Sequence, residues 1–114
     1  MPMSAALYAR TAVLDPDHPI TAQIDALRTV IAAHSWTLDA AHIFQDAGYS
    51  GLEFDRPGLQ ALRDALRRGE FVRLVVAHPD RLSRRVDDRW LIEHEAGCRI
   101  VYVASGEMAV LPEQ

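Results

Sequence analysis

The sequence contains no lysine, so all 12 of its basic residues are arginines. A single cysteine, Cys98, excludes an internal disulfide bond and suits a reducing compartment. No apolar run approaches the roughly 20 residues that cross a bilayer. The N-terminus also lacks the basic segment that opens a signal peptide. We therefore expect a cytoplasmic protein with no membrane partner, in which Cys98 is a small buried apolar residue.

Two common kinds of ligand site lack their sequence patterns here. The five histidines show neither a His-x-x-x-His spacing nor a nearby Cys-x-x-Cys pair, so the sequence predicts no metal site. There is also no glycine-rich loop of the kinds that hold nucleotide phosphates. We therefore expect neither a metal ion nor an organic cofactor.

The charge balance limits how the chain can bind an anion. With a formal net charge of −4, the chain is not expected to coat nucleic acid through bulk electrostatics. Binding of phosphate would require a local cluster of arginines, whose planar guanidinium groups grip two oxygens at once and stay charged. A general preference for arginine explains the composition equally well. The positions of the arginines along the fold decide between these two interpretations.

The first half of the chain predicts a strand, a helix and a second strand. With 114 residues, 49% of them apolar, the chain fits a single domain over residues 1–114 with a real core. A short buried strand is predicted over residues 5–10, and a second strand at about residues 38–44. Between them, apolar residues at helical spacing predict a helix over residues 20–34; they are Ile20, Ile24, Leu27 and Ile31.

The second half of the chain continues this alternation. A loop over residues 46–58 leads into a helix that starts at Pro57 and stops at Gly69, with an inner stripe of leucines. A central strand is predicted over residues 73–78. A further loop, a short helix reaching about Ala96 and a fourth strand follow; the loop covers residues 79–88 and the strand residues 99–105. The order predicts an α/β fold: a mainly parallel sheet of about four to five strands flanked by helices.

Arginines cluster where this topology predicts a functional crevice. In open parallel sheets the crevice lies outside the carboxyl ends of the strands. Arg10 ends the first strand, while Arg81 and Arg84 follow the end of the third. Arg56 closes the loop before the second helix. The topology therefore predicts that three separate segments bring arginines to one rim.

Four segments of the sequence resemble one known family in their order and spacing. They are "YAR" at residues 8–10, "ITAQIDAL" at 20–27, "DAGYSGLEFDRPGL" at 46–59 and "DRLSR" at 80–84. Together they resemble the catalytic domain of serine recombinases of the resolvase/invertase type, over about residues 5–105. The resemblance implies a resolvase-like fold and metal-free DNA strand cleavage and exchange. In that chemistry a serine attacks the scissile phosphodiester, forms a phosphoserine bond, and arginines neutralise the transition state.

The resemblance also implies a set of site residues. Arg10 would lie beside the nucleophile, and Gln23 would face the site from the first helix. Arg56 would be the loop arginine. The "DRLSR" block would supply one acid and two arginines, which are Asp80, Arg81 and Arg84. Asp80 has two possible roles, as an acid or base or as a group that orients Arg10 or Arg84, and we favour the orienting role.

The expected nucleophile is missing. The family pattern reads Tyr-x-Arg-Val-Ser, and its serine position is occupied by Ala12. The neighbouring Thr11 has a hydroxyl group, but alternation along a strand would direct it to the opposite face unless a bulge redirects it. Two further departures are a segment between "DRLSR" and Gly97 that is about three residues short, and an end at Gln114 before the family's dimerisation helix and DNA-binding domain.

Three hypotheses for function follow from these residues. The first is a recombinase catalytic domain that has lost cleavage. It would bind the DNA phosphate backbone weakly, pair with itself or with an active recombinase, or be a decaying remnant. The second is an active recombinase that uses Thr11 as a substitute nucleophile. The third is a repurposed binding or assembly module, whose arginines hold a phosphate-bearing ligand or an acidic protein surface.

Overall fold

The computed structural model describes residues 4–12, 19–50, 52–95, 99–103 and 109–110. These parts of the chain contain five strands and four helices. In chain order they are β1 (Ser4–Thr11), α1 (Ile20–Ala33), β2 (Thr37–Ala47), α2 (Pro57–Arg68), β3 (Arg73–Val76), α3 (Pro79–Leu82), α4 (Val86–Glu95), β4 (Arg99–Tyr102) and β5 (Ala109–Val110).

The strands form one sheet in the order β2-β1-β3-β4-β5. Neighbours among the first four strands of this order pair in parallel, and β5 pairs antiparallel with β4. The predicted α/β fold with a mainly parallel sheet is therefore confirmed. β1 lies between β2 and β3, so its carboxyl end opens near the middle of the sheet.

Side chains of β1 alternate between two hydrophobic cores, one on each face of the sheet. Leu7 faces the core formed with α1, whose buried stripe is Ile24, Leu27 and Ile31. Tyr8 faces the core formed with α2 and α4. By the same alternation, the side chain of Arg10 belongs to the α2 face. None of the described helices has the length and apolar character needed to cross a membrane.

Several element boundaries differ from the sequence predictions. β2 continues to Ala47, because Arg10 and Thr11 of β1 extend the pairing to Asp46 and Ala47. Asp46 therefore belongs to a strand and not to the following loop. β3 ends at Val76, two residues earlier than predicted.

The loop predicted over residues 79–88 is also partly helical. Pro79–Leu82 forms α3, which His78 caps by accepting a hydrogen bond from the backbone N–H of Asp80. α4 then begins at Val86. The predictions for Cys98, for Ala96 and for residues 104–105 lie outside the described residues.

The start of α2 lies unusually close to the backbone of β2. A Cβ atom placed on Gly58 would lie 2.3 Å from the carbonyl oxygen of Gln45 and 2.9 Å from a carboxylate oxygen of Asp46. Glycine is therefore required at this second position of the helix. The missing side chain lets the first turn of α2 approach the carboxyl end of β2.

We expect the change Gly58→Ala to lower the free energy of unfolding by about 1–3 kcal/mol, because the methyl group must push α2 away from β2. Chemical denaturation measures this loss. The matched control is Gly69→Asn at the end of α2, where φ is 66° and nothing lies within 4 Å of an added Cβ. Asparagine tolerates this conformation, so the control should change stability by under about 0.5 kcal/mol. Equal losses at both glycines would contradict the close approach at Gly58.

Candidate functional site

Arg10 lies at the carboxyl end of β1 and is held by three backbone carbonyl groups. Its Nε donates to the carbonyl of Arg81 at 3.3 Å, its Nη1 to that of Tyr49 at 3.0 Å and its Nη2 to that of Asp80 at 2.8 Å. The residue is 2% exposed. Burial, followed by the nearby guanidinium groups of Arg56 and Arg81, lowers the pKa of Arg10 below its ordinary value. Carbonyl oxygens fix the side chain but do not neutralise its charge.

An open cleft of about 300 Å³ lies against this arginine. Its lining residues are Arg10, His78, Asp80, Arg81 and Arg84. The lining residues thus carry three guanidinium groups, one imidazole and one carboxylate. Such a surface suits an anion with several oxygens, because each guanidinium group offers a planar fork of N–H donors.

The cleft unites four of the residues predicted from the sequence. Arg10, Asp80, Arg81 and Arg84 lie together although β1 and α3 are far apart in the chain. His78 completes the lining and was not predicted. Its position just before α3, rather than any residue pattern, brings it there.

Asp80 holds Arg10 through its main chain. Its carbonyl accepts from Arg10, while its carboxylate oxygens lie 3.7 Å from His78 Nδ1 and 3.7 Å from Arg89 Nη1. The carboxylate is therefore directed toward α4 and His78. The orienting contact to Arg10 does not depend on the acidic side chain.

Gln23 supports the site from α1. Its Oε1 accepts from the backbone N–H of Arg10 at 3.1 Å, and its Nε2 donates to the carbonyl of Arg10 at 3.2 Å. The carbonyl of Thr11 accepts from Gly48 on the β2 side, so the Arg10 main chain faces the β3 side. β3 has already ended there, at the residue paired with Tyr8. Gln23 thus supplies the two hydrogen bonds that a longer β3 would have made.

Arg56 lies behind the cleft and not on its surface. It is fully buried and donates to the Tyr8 hydroxyl at 2.9 Å, to the Arg81 carbonyl at 3.1 Å and to the Leu82 carbonyl. Its Nε has no hydrogen-bond partner within the described part of the chain. The sequence prediction of a shared rim therefore holds for Arg10, but Arg56 reaches the site only through the carbonyl of Arg81.

A buried carboxylate that sequence reasoning missed connects Arg56 to the sheet. Asp46 Oδ2 accepts from the Tyr8 hydroxyl at 2.6 Å and from the Leu59 N–H at 2.9 Å, while Oδ1 accepts from the Gly58 N–H at 2.7 Å. Asp46 thus caps α2 from another element, the strand β2. The N-cap residue itself, Arg56, makes no capping hydrogen bond with its side chain. Burial, followed by the hydrogen bond to Asp46, raises the pKa of Tyr8.

Thr11 and Ala12 are the two residues considered for the position of the nucleophile, and neither is among the residues that line the cleft. Thr11 is the last residue of β1, and alternation places its side chain on the α1 face, opposite Arg10. Its carbonyl accepts from the N–H groups of Gly48 and Tyr49 at 2.8 and 3.0 Å. Ala12 follows as an exposed residue at the carboxyl end of the sheet. Among the described residues, the lining of the cleft contains no hydroxyl group.

Within the described residues, no three His, Cys, Asp or Glu side chains come together as they would around a metal ion.

Comparisons with known proteins agree with the fold described above. Residues 5–110 match the family described as "Resolvase, N terminal domain". The chain belongs to this resolvase family. A Bacillus subtilis (strain 168) protein whose provisional name is DNA recombinase is 34% identical over 73 residues, which is 61% of this chain. That match spans only 14% of the length of the Bacillus protein.

Solved structures of recombinases share the fold of this resolvase-family domain. The N-terminal catalytic domain of TP901-1 integrase superposes with a TM-score of 0.82 at 25% identity, over 92% of this chain and 81% of the integrase chain. A serine recombinase from Sulfolobus solfataricus superposes with a TM-score of 0.67 at 28% identity, over 88% and 69% of the two chains. The resemblance to serine recombinase catalytic domains is therefore confirmed.

We expect Asp46→Ala to lower the free energy of unfolding by about 2–4 kcal/mol, because it removes the cap of α2 and leaves two buried donors and one part-buried donor without their acceptor. Thermal or chemical denaturation measures the loss. The matched control is Asp39→Ala on the same strand, whose exposed carboxylate accepts from the Ala41 N–H. This control should cost under about 1 kcal/mol. Losses of similar size in the two variants would contradict a stabilising role for the hydrogen bonds that Asp46 accepts.

We expect stability to fall as the pH rises above the ordinary tyrosine pKa of 10.0, because Tyr8 and Tyr102 both have raised pKa values in the fold. Burial is the first cause for each. The unfolded chain then loses protons that the folded chain retains, so the raised pKa values stabilise fully below pH 10 and progressively less above it. Denaturation at about pH 9 and 11 should show a smaller fall for Tyr8→Phe than for the wild type. An identical fall would contradict the raised pKa of Tyr8.

Proposed function

We propose that this resolvase-family domain binds the phosphate backbone of DNA in the cleft of Arg10, Arg81 and Arg84 but does not cleave it. The observation that carries the proposal is a cleft whose described lining has three guanidinium groups and no hydroxyl. Arginine N–H groups match the oxygens of a phosphodiester in charge and spacing. A backbone phosphate would therefore be held where a recombinase needs it, without a group to attack it.

The chemistry that remains is electrostatic. In a serine recombinase, the serine oxygen would bond to phosphorus and expel a deoxyribose oxygen, while arginines stabilise the added negative charge. Ala12 offers a methyl group at that position, which forms no bond to phosphorus. Thr11 is a poor substitute, because it belongs to the α1 face and is absent from the lining of the cleft.

Binding by this domain alone should be weak and sensitive to salt. The chain carries a net charge of −4, so long-range repulsion opposes the local attraction of the cleft. Salt screens both the long-range repulsion and the local attraction. Each phosphate contact also becomes weaker as the salt concentration rises, because less free energy is gained from releasing counterions. We therefore infer that productive DNA binding would need a second contribution, from another copy of the chain or from an active recombinase partner in the cytoplasm.

The second candidate function is a repurposed module in which the same cleft holds a phosphate-bearing ligand or an acidic protein surface. The volume of about 300 Å³ favours it, because a cleft of this size can hold a small phosphate-bearing ligand. Salt separates the two functions. DNA affinity that is undetectable at low salt would favour the repurposed module, whereas affinity that rises steeply as salt is lowered favours DNA.

We expect the wild type to form no covalent adduct with DNA, and Ala12→Ser to form one. Internally labelled duplex DNA is incubated with each protein at low salt and high protein concentration, which offsets weak binding, and adducts are detected after denaturing electrophoresis. If the proposal is right, the restored serine supplies the attacking oxygen, and Arg10, Arg81 and Arg84 of the cleft stabilise the charge of the transition state.

Two further variants make the result specific. Thr11→Val should form no adduct, as we expect for the wild type. Arg81→Ala in the Ala12→Ser background should abolish the adduct, because one hydrogen-bond donor that stabilises the charge of the transition state is lost. An adduct formed by the wild type would contradict impaired cleavage. If Thr11→Val removed that adduct, Thr11 would be the nucleophile. Absence of an adduct with Ala12→Ser would show that more than the hydroxyl is missing.

A further inference from the structure

We propose that Arg85 binds a second phosphate of the DNA backbone, next along the strand to the phosphate held in the cleft. This inference rests on the proposed function, because it extends the path of the same DNA. Arg85 directly follows Arg84, which lines the cleft, but is not itself among the lining residues. The Cα atoms of adjacent residues are about 3.8 Å apart, so the Arg85 side chain starts just outside the cleft, where a neighbouring phosphate would lie.

The main chain of Arg85 is fixed at the junction of α3 and α4. Ser83 is fully buried, and its Oγ accepts from the Arg85 N–H at 3.0 Å. The carbonyl of Arg85 accepts from the N–H of Arg89 in α4, also at 3.0 Å. Hydrogen bonds on both sides of the residue therefore hold its position. Little backbone entropy would be lost when Arg85 binds an anion.

The side chain of Arg85 is held by a main-chain carbonyl, as that of Arg10 is. Its Nε donates to the carbonyl of Leu52 at 3.3 Å. The carbonyl of Tyr49, in the same connection between β2 and α2, accepts from Nη1 of Arg10 at 3.0 Å. One connection thus holds a guanidinium group in the cleft and another beside it. Neither contact neutralises the positive charge that it holds.

No carboxylate neutralises Arg85 within the described part of the chain. Both of its Nη groups lack a hydrogen-bond acceptor and an ion-pair partner there, and the residue is exposed. Three other arginines outside the buried core do have carboxylate partners; the pairs are Arg67 with Asp64 at 3.0 Å, Arg68 with Glu70 at 2.6 Å and Arg89 with Asp80 at 3.7 Å. Arg85 therefore keeps two Nη groups for an external anion, and its planar fork of N–H donors matches phosphate oxygens.

Two carboxylates follow Arg85 closely in the chain. They belong to Asp87 and Asp88 in the first turn of α4, where acidic side chains interact favourably with the helix dipole. Neither forms an ion pair with Arg85 among the described residues. Their negative charges weaken the attraction of this region for DNA without occupying the guanidinium group. We therefore expect Arg85 to add one phosphate contact and no more.

The test measures how the binding of the whole chain to a short fluorescent duplex DNA depends on salt, by anisotropy. Each phosphate contact makes the slope of log K against log salt concentration more negative by about 0.9. The slope of Arg85→Gln should be less negative than that of the wild type by about this amount. A fourfold rise in salt should then cost the variant about 3.5-fold less affinity than it costs the wild type. Arg85→Lys keeps the charge and should keep the slope of the wild type.

The matched control is Arg28→Gln, which removes the same charge from another surface. Arg28 is exposed and has no ion-pair partner among the described residues. It lies in a groove between α1 and β2 that shares no lining residue with the cleft. Its loss should leave the slope unchanged.

Inorganic phosphate is a second probe, and its binding is followed by NMR. A single phosphate in the cleft does not extend to Arg85, so Arg85→Gln should bind inorganic phosphate as the wild type does.

Each outcome separates this inference from the proposed function. If the wild type binds DNA at low salt but Arg85→Gln keeps its slope, the inference is overturned and the proposed function stands. An equal change of slope in Arg28→Gln also overturns it, because the loss of any positive charge would then explain the result. Weaker binding of inorganic phosphate by Arg85→Gln would place Arg85 at the first phosphate and not at a second. A wild type that binds no DNA refutes the proposed function, and this inference with it.

Discussion

The buried carboxylate of Asp46 is the contact on which the rest of the site depends. It accepts from the first turn of α2 and from the Tyr8 hydroxyl, and that hydroxyl accepts from Arg56. Arg56 in turn donates to the carbonyl of Arg81, which also accepts from Arg10. One continuous set of hydrogen bonds therefore runs from the edge strand β2 to the cleft. Buried polar groups are stable only when their partners are present, so these members must assemble together.

Buried positive charges outnumber buried negative charges among the described residues. Three arginines and one aspartate are buried among the described residues; they are Arg10, Arg56, Arg63 and Asp46. Backbone carbonyls of Tyr49, Asp80 and Arg81 accept from Arg10, and the ring centroid of Phe54 lies 4.6 Å from the guanidinium carbon of Arg63. Partial negative charges of this kind stabilise a cation without cancelling it. The positive charge of Arg10 lies against the cleft, where a phosphate would balance it.

The sequence alone predicted the order of the elements and much of the site, because both depend on local patterns. Helical spacing of apolar residues identified α1 and α2, and the strand ends located Arg10 and Arg81. The buried network was not predictable in the same way. Tyr8, Asp46 and Arg56 are separated by about 10 to 50 positions and meet only through the pairing of β1 with β2 and the docking of α2. Neither the alternation of β2 nor its composition marks Asp46 as buried.

Other differences between prediction and structure have local physical causes. β3 ends early because His78 turns away to cap α3, and no common cap pattern contains histidine. Arg56 was expected on a rim because it closes the loop before the second helix, but the close approach of α2 at Gly58 carries its first residues inward. In both cases a backbone contact overrides what the residue type suggests.

The use of main-chain carbonyls to hold Arg10 has an evolutionary consequence. A carbonyl group is present whatever side chain its residue carries, so substitutions at Tyr49, Asp80 or Arg81 leave the acceptors for Arg10 in place. Ala12 likewise contributes no side-chain contact that the fold requires. The architecture that positions the cation is thus uncoupled from the chemistry performed beside it. Such a domain can gain or lose a reactive group by a single codon change while inheriting an intact anion site.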